Sequence, residues 1–142
     1  MSTQIPFLTI TLPAAADLST KQFYGMKVDS AGRAAVAAAG ELCVGVLQNK
    51  PDAIDKEATI SVLGASKMVA AGSITAGAQV AVDANGKATT ATKAAVNTSD
   101  GGVAADAVIA SNVIGIALTG ASANDVFPVL LLHAGAVPTT AA

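Results

Sequence analysis

Val44-Gly45-Val46-Leu47-Gln48-Asn49-Lys50-Pro51 and its later echo, Ile114-Gly115-Ile116-Ala117-Leu118-Thr119, decide how this chain reads. Each is an apolar run with glycine in second place, closed by polar or turn-forming residues. Each follows the same kind of turn, Val28-Asp29-Ser30-Ala31-Gly32-Arg33-Ala34 before the first and Val82-Asp83-Ala84-Asn85-Gly86-Lys87-Ala88 before the second. In such a turn the Asp side chain bonds the backbone two residues on, and the glycine accepts positive φ. Two turns and two glycine-bearing strands in the same order predict one β unit used twice. The turns lie 54 residues apart (Asp29 to Asp83) and the glycine strands 70 (Gly45 to Gly115), so the second copy holds an insertion of 16. It falls in 93–112, a stretch of small and polar residues. A loop of that length inside a compact domain is either functional or mobile.

Further out, Ile5 to Leu12 alternates Phe7, Thr9 and Thr11 against Leu8, Ile10 and Leu12, with Pro6 and Pro13 at its ends. That pattern reads as an edge strand or an extended arm. As an arm it would add a strand to a neighbour's sheet edge, which makes Ile5, Phe7, Leu8, Ile10 and Leu12 the candidate contacts with a partner or a second subunit. Asp17 to Gln22 is compatible with a helix of a turn or two. Phe23–Val28 and Arg33–Ala37 read as one hairpin, and Leu42–Gln48 as the next strand. Ala58–Leu63 alternates Thr and Ser against Ala, Ile and Val. Gly64 is expected to break that strand, with Ser66–Ala70 returning. Gln79–Val82, Lys87–Thr92 and the closing Val126–Leu132 complete the set.

Short strands at about ten-residue spacing, with turn signals between them, predict an all-β chain. The expected architecture is an antiparallel β-barrel or sandwich built from two similar β units, with at most a short helix and an extended N-terminal arm. The expected limits are an arm or edge strand over 1–13 and a single β domain over 14–133. Within it the units span 24–70 and 72–132, and 134–142 is a flexible tail.

Composition narrows the function. Of 142 residues, 52% are hydrophobic but only 3% aromatic, so the core is thin and built from Val, Ile and Leu. Thin cores commonly draw stability from association with other subunits. Charged residues are 13% of the chain, the net charge is −2, and the eight Lys and Arg are scattered singly. A nucleic-acid binder needs a basic stripe, so no nucleic-acid partner is expected. No run reaches the ~18 apolar residues of a membrane span, so no membrane partner is expected either. The start, Met1-Ser2-Thr3-Gln4, lacks the basic and long apolar segments of a secretory signal. The sequence predicts a protein made in a cytoplasm and used there or in something assembled there.

Residues for chemistry are scarce. His133 is the only histidine and Cys43 the only thiol, and each lies in an apolar strand context that favours a packing role over a nucleophile–base pair. No cluster of Cys or His exists to hold a soft metal. Asp52, Asp55 and Glu57 alternate with Lys50 and Lys56, as a solvated loop does, and lack the spacing of a calcium loop. Gly115 to Gly120 matches half of a phosphate loop, but Ala121 and Ser122 stand where Lys and Ser/Thr are needed. Asn97-Thr98-Ser99 fits a glycosylation sequon without a secretory context. No catalytic residue, metal or cofactor is expected, and the chain does not read as an enzyme.

The ordered set of Asp17-Leu18-Ser19 to Phe23-Tyr24, Val28-Asp29-x-x-Gly32, Val44 to Pro51, Gly64 to Lys67, Ala71 to Gly77, Asp83 to Ala88, Ile114 to Leu118 and Val129 to Leu131 resembles the capsid cement, or decoration, proteins of tailed bacteriophages. The resemblance spans about residues 15 to 132, and Leu-Gln-Asn-Lys-Pro after Val-Gly-Val is its most telling piece. It implies a β-rich virion protein on the outer capsid surface, acting as a homotrimer that braces the major capsid protein. The insertion at 93–112 is longer than the family pattern implies. A second class of function fits the same inventory: a particle-displayed module binding a receptor or glycan. Glycan sites usually present exposed aromatics, and this chain has four aromatic residues.

Overall fold

A computed structural model of the chain describes residues 4–92 and 111–136. Residues 93–110 of the expected insertion, and 137–142 of the expected tail, lie outside the described residues. Nine strands form among the described residues: β1 (Ile5–Pro13), β2 (Gly25–Val28), β3 (Ala34–Val36), β4 (Gly45–Leu47), β5 (Glu57–Val69), β6 (Gln79–Val82), β7 (Ala88–Thr90), β8 (Asn112–Ala117) and β9 (Val126–Ala136). No helix occurs among the described residues; Asp17 to Gln22 forms turns, with the Asp17 carboxylate accepting from the Ser19 N–H.

The strands make one sheet ordered β3-β2-β4-β5-β9-β8-β6-β7, with β1 added on β5, and every strand pair is antiparallel. The sheet curls into a half-barrel. This is the all-β fold of two similar units that the paired glycine strands predict.

The duplication holds down to single hydrogen bonds. Met26 pairs with Gly45, and Val80 with Gly115. Leu47 pairs with Ile60, and Ala117 with Val129. Asp29 and Asp83 each cap their own turn, accepting at Oδ1 from Ala31 and Arg33 in one case and from Asn85 and Lys87 in the other, all at 2.8–2.9 Å. Ala14 N–H donates to Lys56 O and Ala70 N–H to Asp125 O, while Asp55 and Asn124, the residues just before those acceptors, both take left-handed φ. Phe23 also sits at φ 67, where the second repeat places Gly77 at φ 81. A side chain in that conformation costs about 1–2 kcal/mol, so the first repeat is locally strained there.

The repeat begins earlier than the turns alone indicate. β1 pairs with β5 as the second half of β5 pairs with β9: Thr11 opposes Thr59 and Leu12 opposes Ala58, as Lys67 opposes Pro128 and Met68 opposes Phe127. One repeat therefore runs over about 8–63 and the other over 64–131.

Two expectations are corrected. Gly64 does not break the strand after Leu63: β5 runs unbroken from Glu57 to Val69. Gly64 and Ala65 are paired on both edges, with Pro6 and Ile5 on one side and Leu131 and Leu130 on the other. The glycine bends a continuous strand where one repeat hands over to the next. β9 likewise continues through 134–136 rather than fraying, because Gly135 and Ala136 pair with Val113 and Asn112.

Two buried clusters follow the repeats. Ala14, Leu18, Met26, Ala34, Leu47, Ala58 and Ile60 form the first. The second gathers Ala70, Ile74, Val80, Val82, Ala88, Ile114, Ala117, Val129 and Leu131 with Ala37, Cys43 and Val46 of the first repeat. The first repeat thus lays its outward face over the inner core of the second.

Candidate interaction surface

The predicted contact residues lie on β1, which pairs along β5 within the same chain. Ile10 and Leu12 are half-buried against the first core cluster. Ile5, Phe7 and Leu8 are exposed, Phe7 at 84% and Ile5 at 67%. Phe7 is the extra residue of a bulge, since Pro6 opposes Gly64 and Leu8 opposes Leu63. The structure therefore divides the five: two anchor the strand and three stand in solvent.

Ile5 belongs to a longer row. It opposes Ala65, which opposes Leu130, which opposes Ile116. Residues directly opposite in antiparallel pairs share a face. An outward apolar row thus crosses β1, β5, β9 and β8, with Leu132 two residues along β9 from Leu130 also exposed. Sequence alternation identified the β1 part; the rest requires the register.

A second apolar surface lies at the open end of the first repeat. Lys27, Val28, Glu41, Leu42, Cys43, Val44, Val62 and His133 line a groove of about 690 Å³. Val44 and Val62 connect it to the first core cluster, and Leu42 projects at its rim, 67% exposed. Sequence reading missed this groove because its walls come from β2, β5, β9 and the segment 41–44 that leads into β4.

The groove brings Cys43 and His133 together without making them a catalytic pair. The buried thiol faces the Glu41 carbonyl at 3.7 Å, and His133 Nε2 lies 3.1 Å from the Val62 carbonyl. Burial, with a lesser push from the Glu41 charge, raises the Cys43 thiol to about 12. A thiol so held is protonated at neutral pH and a poor nucleophile. Native protein at pH 8 should therefore react with iodoacetamide far more slowly than urea-unfolded protein. Equal labelling rates would contradict the burial.

Glu41 closes the rim through Lys27, with Oε2 at 2.7 Å from Nζ, and accepts from the Ala38 N–H. The Lys27 hydrogen bond first, then the Ala38 N–H, holds its carboxyl below the usual 4.5. A carboxyl lowered in the folded state adds stability above its unfolded pKa and loses it as pH falls through the lowered folded value. Glu41→Gln should thus melt below wild type at pH 7, with the gap closing below about pH 4. A gap that persists at pH 2.5 would contradict this.

The acidic loop disperses. Asp52 pairs with Lys56, Asp55 with Arg33 at 3.4 Å, and no group of three or more His, Cys, Asp or Glu that could hold a metal exists among the described residues. Three aromatics are also occupied. Lys21 and Lys87 lie over the Tyr24 ring at 5.0 and 6.0 Å, Lys67 lies 5.9 Å from the Phe23 ring, and Phe127 is buried. Phe23 and Tyr24 border a smaller cleft of about 360 Å³ with Ser19, Thr20, Gln22 and Lys50.

No protein-family model matches the chain, and no curated protein does. Among solved structures it is similar to the N base of the head fiber gp8.5 of bacteriophage phi29, with a TM-score of 0.59. That match covers 92% of this chain and 98% of the other at 14% identity. At this identity the likeness is one of fold.

Proposed function

We propose that this chain is a non-catalytic structural protein of a phage virion, seated on the outer capsid surface as a capsid cement or decoration protein. In this reading it is a homotrimer whose partners are the major capsid protein and itself, with no nucleic acid and no membrane. The observation that supports it best is the apolar row on the sheet, which ends in three solvent-exposed apolar side chains on β1. A repeat protein with exposed apolar strands, and no assembled reactive groups among its described residues, is suited to adhesion rather than turnover. The fold shared with a phage head fiber base adds support. So does the net charge of −2, which suits a shell exterior better than a DNA-lined interior.

β1 is an edge strand on its free side, so it can add a strand of coat protein while Ile5, Phe7 and Leu8 enter apolar pockets. Deleting residues 2–12, or changing Phe7→Asp with the strand intact, should abolish occupancy of expanded heads. Unchanged occupancy in the Phe7→Asp protein would overturn β1 as the contact. The receptor- or glycan-binding alternative has less support, because Phe7 is the one aromatic whose face carries no neighbour described above.

A further inference from the structure

The two repeats meet head to tail, and each leaves one half of that interface unused at its end of the chain. Within the chain, the outward face of the first repeat contributes Ala37, Cys43 and Val46 to the core of the second, beside Val82 and Ile114. Backbone bonds reinforce the contact: Gly25 N–H donates to Gly86 O at 2.7 Å and Gly40 N–H to Val82 O at 3.0 Å. Asn112 Nδ2 donates to Gly40 O at 3.0 Å. In the register of the repeat, Val82, Ile114 and Asn112 correspond to Val28, Val44 and Leu42. These three line the open groove. Val82 and Ile114 are buried, whereas Val28 is 48% and Leu42 67% exposed. The groove is the place where a further repeat would seat.

The complementary face is open in part: Val113, the counterpart of Cys43, is buried, but the counterparts of Val46, Ser61 and Ala37 are not. Val46 and Ser61, both fully buried, correspond to Ile116, which is half-buried, and Leu130, which is exposed. Ala37 corresponds to the half-buried Ala91.

We infer that copies of this chain associate head to tail, the Ile116–Leu130 face of one copy seated in the Val28–Leu42 groove of the next. This rests on the self-association in the reading above and names the surfaces that perform it. A heterologous contact of this kind either closes into a ring or runs on as a filament, and a ring of a few copies satisfies every groove. One substitution sets the geometry apart from the internal contact. Gly25, where a Cβ would lie 2.5 Å from Val82 Cγ1, is replaced by Gln79. Copies therefore meet at a wider angle or spacing than the two repeats do.

The test uses the full chain in sedimentation velocity. Leu42→Glu spoils the groove and keeps the face; Leu130→Glu spoils the face and keeps the groove. Wild type is expected to sediment as an oligomer and each variant alone as a monomer. An equal mixture of the two is expected to form dimers and nothing larger, since one productive contact remains per pair. Val28→Glu and Ile116→Glu repeat the experiment at independent positions, with unchanged far-ultraviolet circular dichroism as the folding control. A monomeric wild type, variants that keep the wild-type mass, or a mixture that stays monomeric would each overturn the inference. Head binding by the same samples is read separately: oligomers indifferent to all four substitutions that still bind heads remove these surfaces and leave the capsid role standing.

Discussion

Gly45→Ala and Gly115→Ala are each expected to remove most of the protein's stability, while Gly72→Ala leaves it unchanged. A Cβ at Gly45 would lie 2.2 Å from Ser61 O and 2.7 Å from Ile60 Cγ2; at Gly115 it would lie 2.2 Å from Leu130 O and 2.8 Å from Val129 Cγ1. The obstacle is backbone, so no rotamer change relieves it. The strand must move away from its neighbour, which breaks β4 from β5 or β8 from β9 at the middle of the sheet. Strain of this kind lies at the severe end for point changes, about 4–5 kcal/mol or more. Small domains hold only about 5–15 kcal/mol in total. At Gly72 an added Cβ meets nothing within 4 Å and the backbone is ordinary, so the change should stay within about 0.5 kcal/mol. Equilibrium urea unfolding measures all three. Similar losses at 45 and 115 are expected because the two sites are one site built twice; a wild-type midpoint for either alanine variant would contradict the packing.

Gly64→Ala is the second large effect, and it is local. Gly64 adopts φ +99, and a Cβ there would lie 2.4 Å from Ile5 O and 2.7 Å from Phe7 N. The backbone conformation alone costs an alanine about 1–2 kcal/mol. The contact with β1 adds to that unless the strand end lets go. We therefore expect residues 5–8 to detach while β5 remains paired to β9, with a modest fall in global stability. Hydrogen exchange should accelerate at the amides of β1 near Leu8 and stay slow in β9. Unchanged protection at the start of β1 would show that Gly64 is not what seats it. The same variant links fold to function, since it displaces Phe7 without altering it.

How far the sequence was legible depends on how local each feature is. The Asp29 and Asp83 turns and the Gly45 and Gly115 strands are local chemistry, and they revealed the duplication and the all-β class. Gly64 was misread as a strand end. A glycine inside an apolar alternation signals a break, a bulge or a close approach alike, and only the strands on both sides of β5 distinguish them. Phe23 hid how far the repeat extends ahead of the turns, because a bulky residue occupies the left-handed position that Gly77 marks plainly in the second copy. The apolar residues of β1 were visible by alternation. The groove and the row through Leu130 and Ile116 were not, because register alone joins Ile5 to Ala65 and Leu130, and Lys27 to His133, far apart in the chain. Val28 and Leu42 lie at the ends of expected strands, and the structure leaves both exposed, whereas Val82, the counterpart of Val28, is buried under the first repeat.

The central claim is that this chain works by binding the outside of a phage head. Expanded, empty heads lacking the protein, mixed with the purified chain and pelleted through a sucrose cushion, test it most directly. The account predicts saturable co-sedimentation, in copy numbers that are a fixed multiple of the capsid's symmetry sites, and heads that resist heating longer once occupied. Protein that stays in the supernatant at saturating concentration, with head stability unchanged, would contradict it.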